Sequence, residues 1–115
     1  MDTKLDQFKK ERDRLNLIVA KYANKTHKEF NGLDFRAYQT GALSEKTKEF
    51  LGLVASLVLR CDDCIKYHLD QCLKKGVTSE ELEEVLVIGL IVGGSITIPH
   101  IRRTLELWDE AQKNG

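Results

Sequence analysis

The sequence predicts an all-α, single-domain helical bundle of five to six helices. Three observations carry this. Apolar residues recur at three- and four-residue steps near the N-terminus, Ser and Thr capping signals precede the later apolar blocks, and glycines close those blocks at helical rather than strand lengths. At 115 residues the chain is expected to be one domain, with residues 1–42 a helical extension and 43–112 the core. A chain of this size buries about two thirds of its unfolded surface and needs no disulfide staples.

From Thr3 to about Lys25, Leu5, Phe8, Leu15, Ile18, Val19 and Tyr22 alternate with charged residues at amphipathic helical spacing, and the mixed-charge run Lys9 to Arg14 reads as a solvated face. Thr26 followed by Glu29 has the form of a capping box opening a short or kinked helix with Phe30 and Leu33, irregular through Phe35, Tyr38 and Gly41. Ser44 is the expected N-cap of a third helix, Glu45 to about Leu59. Beyond Glu49 that helix is apolar on nearly every side, so it should be surrounded by protein.

A fourth helix is expected to begin near Cys61 or Asp62 and to stop at Lys74-Lys75-Gly76. Thr78 with Glu81 forms a second capping-box pattern for a fifth helix ending near Val92. After Gly93-Gly94, Ser95 or Thr97 can cap a last helix to about Ala111, with Pro99 in its first turn and Ile101, Leu105 and Trp108 on one face.

Composition excludes several classes of partner. Eighteen basic and eighteen acidic residues cancel, so no global field draws the chain to nucleic acid or an anionic membrane. The apolar stretches Phe50 to Leu59 and Val85 to Val92 are about half a membrane span. No apolar segment follows Met1-Asp2-Thr3-Lys4, which leads to the expectation of a cytoplasmic protein. In that setting three cysteines argue for reduced or redox-active thiols rather than a disulfide framework.

The chemistry gathers in Cys61-Asp62-Asp63-Cys64-Ile65-Lys66-Tyr67-His68. On a continuous helix, positions 61, 64 and 68 share a stripe about 60° wide, so one pocket could see both thiols and the imidazole. A thiol attacks as the thiolate, and a free cysteine with a pKa of about 8.5 is only a few percent ionised at neutral pH. The positive end of the helix and His68 would favour ionisation of the pair, while Asp62 and Asp63 oppose it.

A structural thiol pair and a zinc site stay open beside the redox reading. Cys72 continues the stripe and invites a Cys3His ligand set, but eleven residues of helix put about 16 Å between Cys61 and Cys72. Two sulfurs on one zinc lie at most about 4.6 Å apart. Cys72 therefore reads as a small buried apolar residue. His27 reads as a surface residue, and His100 as structural or capping, with a place near the pocket as the alternative. Glu49, alone, reads as a first-turn acid favoured by the helix dipole.

Glu49, Cys61, Cys64 and His68 stand at the E-x11-C-x-x-C-x-x-x-H spacing, and together with Lys48-Glu49-Phe50-Leu51, Leu59-Arg60-Cys61, Lys75-Gly76-Val77-Thr78 and Gly93-Gly94 they resemble the AhpD-like alkylhydroperoxidases of the carboxymuconolactone decarboxylase superfamily. The resemblance covers about residues 43 to 110. It implies an all-helical fold, assembly as homo-trimers or homo-hexamers, and reduction of a hydroperoxide substrate at the expense of a protein or small-molecule thiol reductant, with no cofactor and no metal. By position, Cys64 would attack the peroxide and become a sulfenic acid, Cys61 would resolve it as a disulfide, and His68 with Glu49 would relay protons. A non-catalytic or redox-sensing scaffold of the same fold is the alternative. Some family members carry a histidine where this chain has Asp63, and longer ones carry two copies of the core. The decarboxylase branch generally lacks the cysteine pair, so its chemistry is not expected.

Overall fold

The computed structural model describes residues 2–114 and contains, among them, six α-helices and no strand. The helices are α1 (Lys4–Tyr22), α2 (Lys25–Ala37), α3 (Glu45–Leu59), α4 (Asp62–Lys74), α5 (Ser79–Gly93) and α6 (Ile98–Asn114), with a single 3₁₀ turn, Ser95–Thr97, leading into the last. None is long and apolar enough to cross a membrane.

Local side-chain chemistry sets most of the boundaries. Ser44 Oγ accepts the Thr47 N–H at 3.1 Å and starts α3, while Thr78 and Glu81 exchange both bonds of a capping box at the start of α5. Gly76 follows α4 with φ of 73°, a left-handed position that a side chain would strain. The start of α2 departs from expectation: Asn24, not Thr26, is the N-cap, its Oδ1 accepting the His27 N–H at 3.0 Å. Thr26 thus lies inside the first turn of a helix that continues through Phe35. Both residues are competent caps, and the one that lengthens the helix by two residues prevails.

The core sits where α3 packs against α4 on one side and α5 on the other. Leu53 and Leu57 of α3, Ile65, Leu69 and Cys72 of α4, and Leu82 and Leu86 of α5 are almost fully buried, closed off by Leu5, Leu107 and Trp108. Trp108 donates its Nε1–H to Ser79 Oγ at 2.9 Å, so the indole is satisfied at the edge of the core. On α6, Ile101, Thr104, Leu107 and Trp108 form the inner face, and Leu105, expected there, points outward.

Within a single chain the two apolar helices are covered on only part of their circumference. Leu51 and Leu59 on α3 and Ile88, Ile91 and Val92 on α5 are exposed, Ile91 at 77%. No residue of α2 is buried, and its Phe30, Leu33 and Phe35 are open to solvent. The single chain surrounds α3 only in part: one face of α3, and the outer face of α5, are left bare. A thirteen-residue helix with no buried face is marginal in water by itself.

Candidate active site

Arg60 ends α3 in the left-handed region, the one non-glycine residue with positive φ among those described, and this turns the chain directly into α4. Cys61 is the N-cap of α4, with extended backbone, rather than a residue on its face. Its Sγ accepts the Cys64 N–H at 3.3 Å. The single helical stripe expected for residues 61, 64 and 68 is thus replaced by a cap followed by two helical positions. A cap residue can still meet the residue three later, and Cys61 and Cys64 are joined as a disulfide across a Cα–Cα distance of 5.3 Å. Cys64 is the more exposed of the two.

One turn beyond Cys64, His68 turns inward toward α3. Its Nδ1 lies 2.8 Å from Glu49 Oε1, with the two side chains only 11% and 6% exposed. A carboxylate can only accept, so the imidazole donates through Nδ1–H and leaves Nε2 free as an acceptor. Tyr38, the C-cap of α2, places its hydroxyl 3.4 Å from that Nε2, a long contact. Burial, followed by the Glu49 and Asp34 charges, pushes the Tyr38 phenol up, which keeps it a proton donor.

Gly52 makes this arrangement possible. It lies on α3 one turn beyond Glu49, and a Cβ there would come within 2.6 Å of His68 Cε1 and 2.7 Å of Tyr38 Oη. A residue with a side chain would push the imidazole away from the helix that carries its partner. Neither Tyr38 nor Gly52 stood out in the sequence as a site residue. The i, i+3 spacing of Gly52 from Glu49 is a signal that was present; nothing local marks Tyr38.

Cys64 and His68 open into a cleft of about 790 Å³ between α1, α2 and the start of α4. Phe8, Leu15 and Tyr67 supply apolar wall, and Arg12 lies over the Tyr67 ring at 4.5 Å. The charged run of α1 is thus only partly a solvated face: Arg12 packs on α4, and Lys9 reaches Asp70 at 3.3 Å. Burial, then the Glu49 charge, raises the Tyr67 phenol.

The remaining candidates separate cleanly. Cys72 is fully buried, and burial pushes its thiol up to about 12. His27 is exposed on α2. His100 packs beside the motif, its Nδ1 2.7 Å from Asp62 Oδ1. Among the described residues no group of three or more His, Cys, Asp or Glu side chains is arranged to hold a metal ion.

A sequence model of the carboxymuconolactone decarboxylase family matches residues 25–107. An uncharacterized protein of Cupriavidus necator is 32% identical over 80 residues, which span 70% of this chain and 71% of that protein. Among solved structures, a carboxymuconolactone decarboxylase family protein of Thermotoga maritima, for which a part in an antioxidative response has been suggested, superposes with a TM-score of 0.87 at 48% identity, covering 93% of this chain and 91% of its own. A carboxymuconolactone decarboxylase family protein of Legionella pneumophila gives a TM-score of 0.86 at 27% identity, over 95% and 97% of the two chains.

The contrast between the cysteines predicts a labelling pattern. In reduced native protein at about pH 8, an alkylating reagent should modify Cys61 and Cys64 while Cys72, held roughly a thousandfold below an ordinary thiol in its thiolate fraction, reacts only after denaturation. Peptide mass spectrometry reads this directly, and ready native-state labelling of Cys72 would contradict it.

Proposed function

The chain belongs to the carboxymuconolactone decarboxylase family, and from that premise we propose that it is a thiol-dependent peroxidase that reduces hydroperoxides through the Cys61/Cys64 pair. The observation that carries this reading is the disulfide-forming pair whose more exposed member shares a cleft with an imidazole hydrogen-bonded to a buried carboxylate. The antioxidative part suggested for the Thermotoga maritima relative points the same way.

The steps follow from the groups present. With Nδ1–H tied to Glu49, His68 has Nε2 available to take the proton of Cys64. The thiolate attacks the terminal peroxide oxygen; an S–O bond forms, the O–O bond breaks, and the departing alkoxide leaves as an alcohol by taking a proton from the imidazolium. The Cys61 thiolate then attacks the Cys64 sulfenic sulfur, forming the S–S bond and breaking S–O, and hydroxide leaves as water on gaining a proton. A dithiol reductant restores both thiols by exchange and is itself oxidised to the disulfide. The net reaction consumes one hydroperoxide and one dithiol and yields alcohol, water and disulfide. A compartment that maintains thiol reductants, the cytoplasm, suits this cycle.

The same reading includes assembly as a homo-oligomer, a homo-trimer or homo-hexamer. Its support is the bare apolar surface of α5 and the unpacked α2, since a second copy offers matching apolar faces to both.

Two measurements test these statements. Steady-state consumption of an organic hydroperoxide with a dithiol reductant should fall to background in Cys64→Ser and about 100-fold or more in kcat/KM in His68→Ala, with Glu49→Gln also impaired; undiminished turnover in Cys64→Ser would sink the assignment. Light scattering should give three or six chain masses for the parent protein and a smaller species for Ile91→Asp, whereas a monomeric parent would refute the assembly.

A further inference from the structure

At the start of α4, α6 brings an imidazole and a guanidinium to Asp62, the first residue of that helix. His100 Nδ1 lies 2.7 Å from Asp62 Oδ1, and Arg103 Nη2 lies 3.3 Å from Asp62 Oδ2. Because the carboxylate can only accept, His100 carries its proton on Nδ1 and donates it to Asp62. Arg103 Nη2 is 3.1 Å from the same Nδ1, and two donors cannot bond to one another, so Asp62 is the partner of both. His100 is 17% exposed, held between the turn and α6. Burial pushes the Asp62 carboxyl up, but the hydrogen bond from His100 and the charges of Arg103 and His100 outweigh it and hold the carboxyl below its usual range.

Asp62 follows Cys61 directly, and Cys61 caps α4. A thiolate at that cap is favoured by the helix N-terminus and by the Cys64 N–H aimed at its sulfur. A free carboxylate one residue away would oppose it. Other charged groups on the elements meeting at this turn include Arg60 at the end of α3, Asp63 and Lys66 on α4, Arg102 on α6, and the Glu49–His68 pair about two turns further along α4; none of these makes an ion pair with Asp62. We propose that His100 is a positioning residue for Cys61: by drawing the Asp62 carboxylate onto α6, with Arg103 on its other oxygen, it keeps that negative charge from suppressing ionisation of the Cys61 thiol. Each cysteine of the pair is then served by its own carboxylate–imidazole contact, Glu49–His68 for Cys64 and Asp62–His100 for Cys61.

The inference rests on Cys61 reacting as a thiol, but its readout is the titration of Cys61 itself, so a failure of peroxidase turnover leaves it standing. The experiment follows thiolate absorbance against pH in the reduced Cys64→Ser protein, where Cys72 ionises only near 12 and does not interfere. Adding His100→Ala should raise the Cys61 pKa by about half a unit, a roughly threefold loss of thiolate at a fixed pH below it. His100→Gln, whose amide N–H can replace the donor, should restore most of it. Asp62→Asn should leave the pKa close to the parent's and abolish the effect of His100→Ala. A Cys61 titration indifferent to His100→Ala, or a shift that persists in the Asp62→Asn background, overturns the proposal. If His100→Ala does not fold, His100→Phe, which fills the space without the donor, takes its place, and an unmoved Cys61 pKa overturns the proposal.

Discussion

Glu49 carries a carboxylate into the contact between α3 and α4, where it keeps 4% of its exposure. An ionised group there is tolerated only with a hydrogen-bonding partner, because leaving it unpaired costs several kcal/mol. His68 supplies that partner, and the rest of the site is built to let it do so. Gly52 must lack a side chain so that the ring can lie against α3. Arg60 must turn left-handed so that α4 starts at once and runs back along α3. Leu53, Leu57, Ile65 and Leu69, all almost fully buried, form the core beside the polar contact. A hydrogen bond of 2.8 Å thus depends on the packed core next to it.

The disulfide pair stands at the edge of this framework rather than in it. Cys61 belongs to a turn and Cys64 to the first turn of α4, the more exposed end of the helix, while Cys72 two turns further along is sealed in the core. The same residue type therefore has two environments on one helix. Cys64 faces a cleft with solvent and a nearby imidazole, whereas Cys72 lies in the apolar core, where burial first, and then the Glu49 and Glu81 charges, make its thiol hard to ionise.

Much of this was legible before any coordinates, and for identifiable reasons. Caps are local: Ser44, the Thr78–Glu81 box and Gly76 specify boundaries through atoms three or four residues apart, and these boundaries stand as read. The start of α2 was misread because Asn24 and Thr26 both satisfy the local rule and the sequence does not rank them. The geometry of Cys61 was misread because periodicity assumes a continuous helix, and a cap residue falls outside it. Tyr38 and the Asp62–His100–Arg103 cluster were hidden for a different reason. They join residues 30 or more positions apart, and only the placing of the C-terminal end of α2 and of α6 beside α4 brings them together. The apolar patterns of α3 and α5 mark extended apolar surface, yet do not tell which part of it the same chain covers.

The central claim is that Cys64 is the atom-accepting thiol of the pair. Its most direct measurement uses the Cys61→Ser protein, reduced, then treated with equimolar organic hydroperoxide in the presence of a sulfenic-acid-specific nucleophile and mapped by peptide mass spectrometry. The account predicts the adduct on Cys64, with Cys72 unmodified. Absence of a Cys64 adduct, or capture of the oxygen at Cys72 instead, would contradict it.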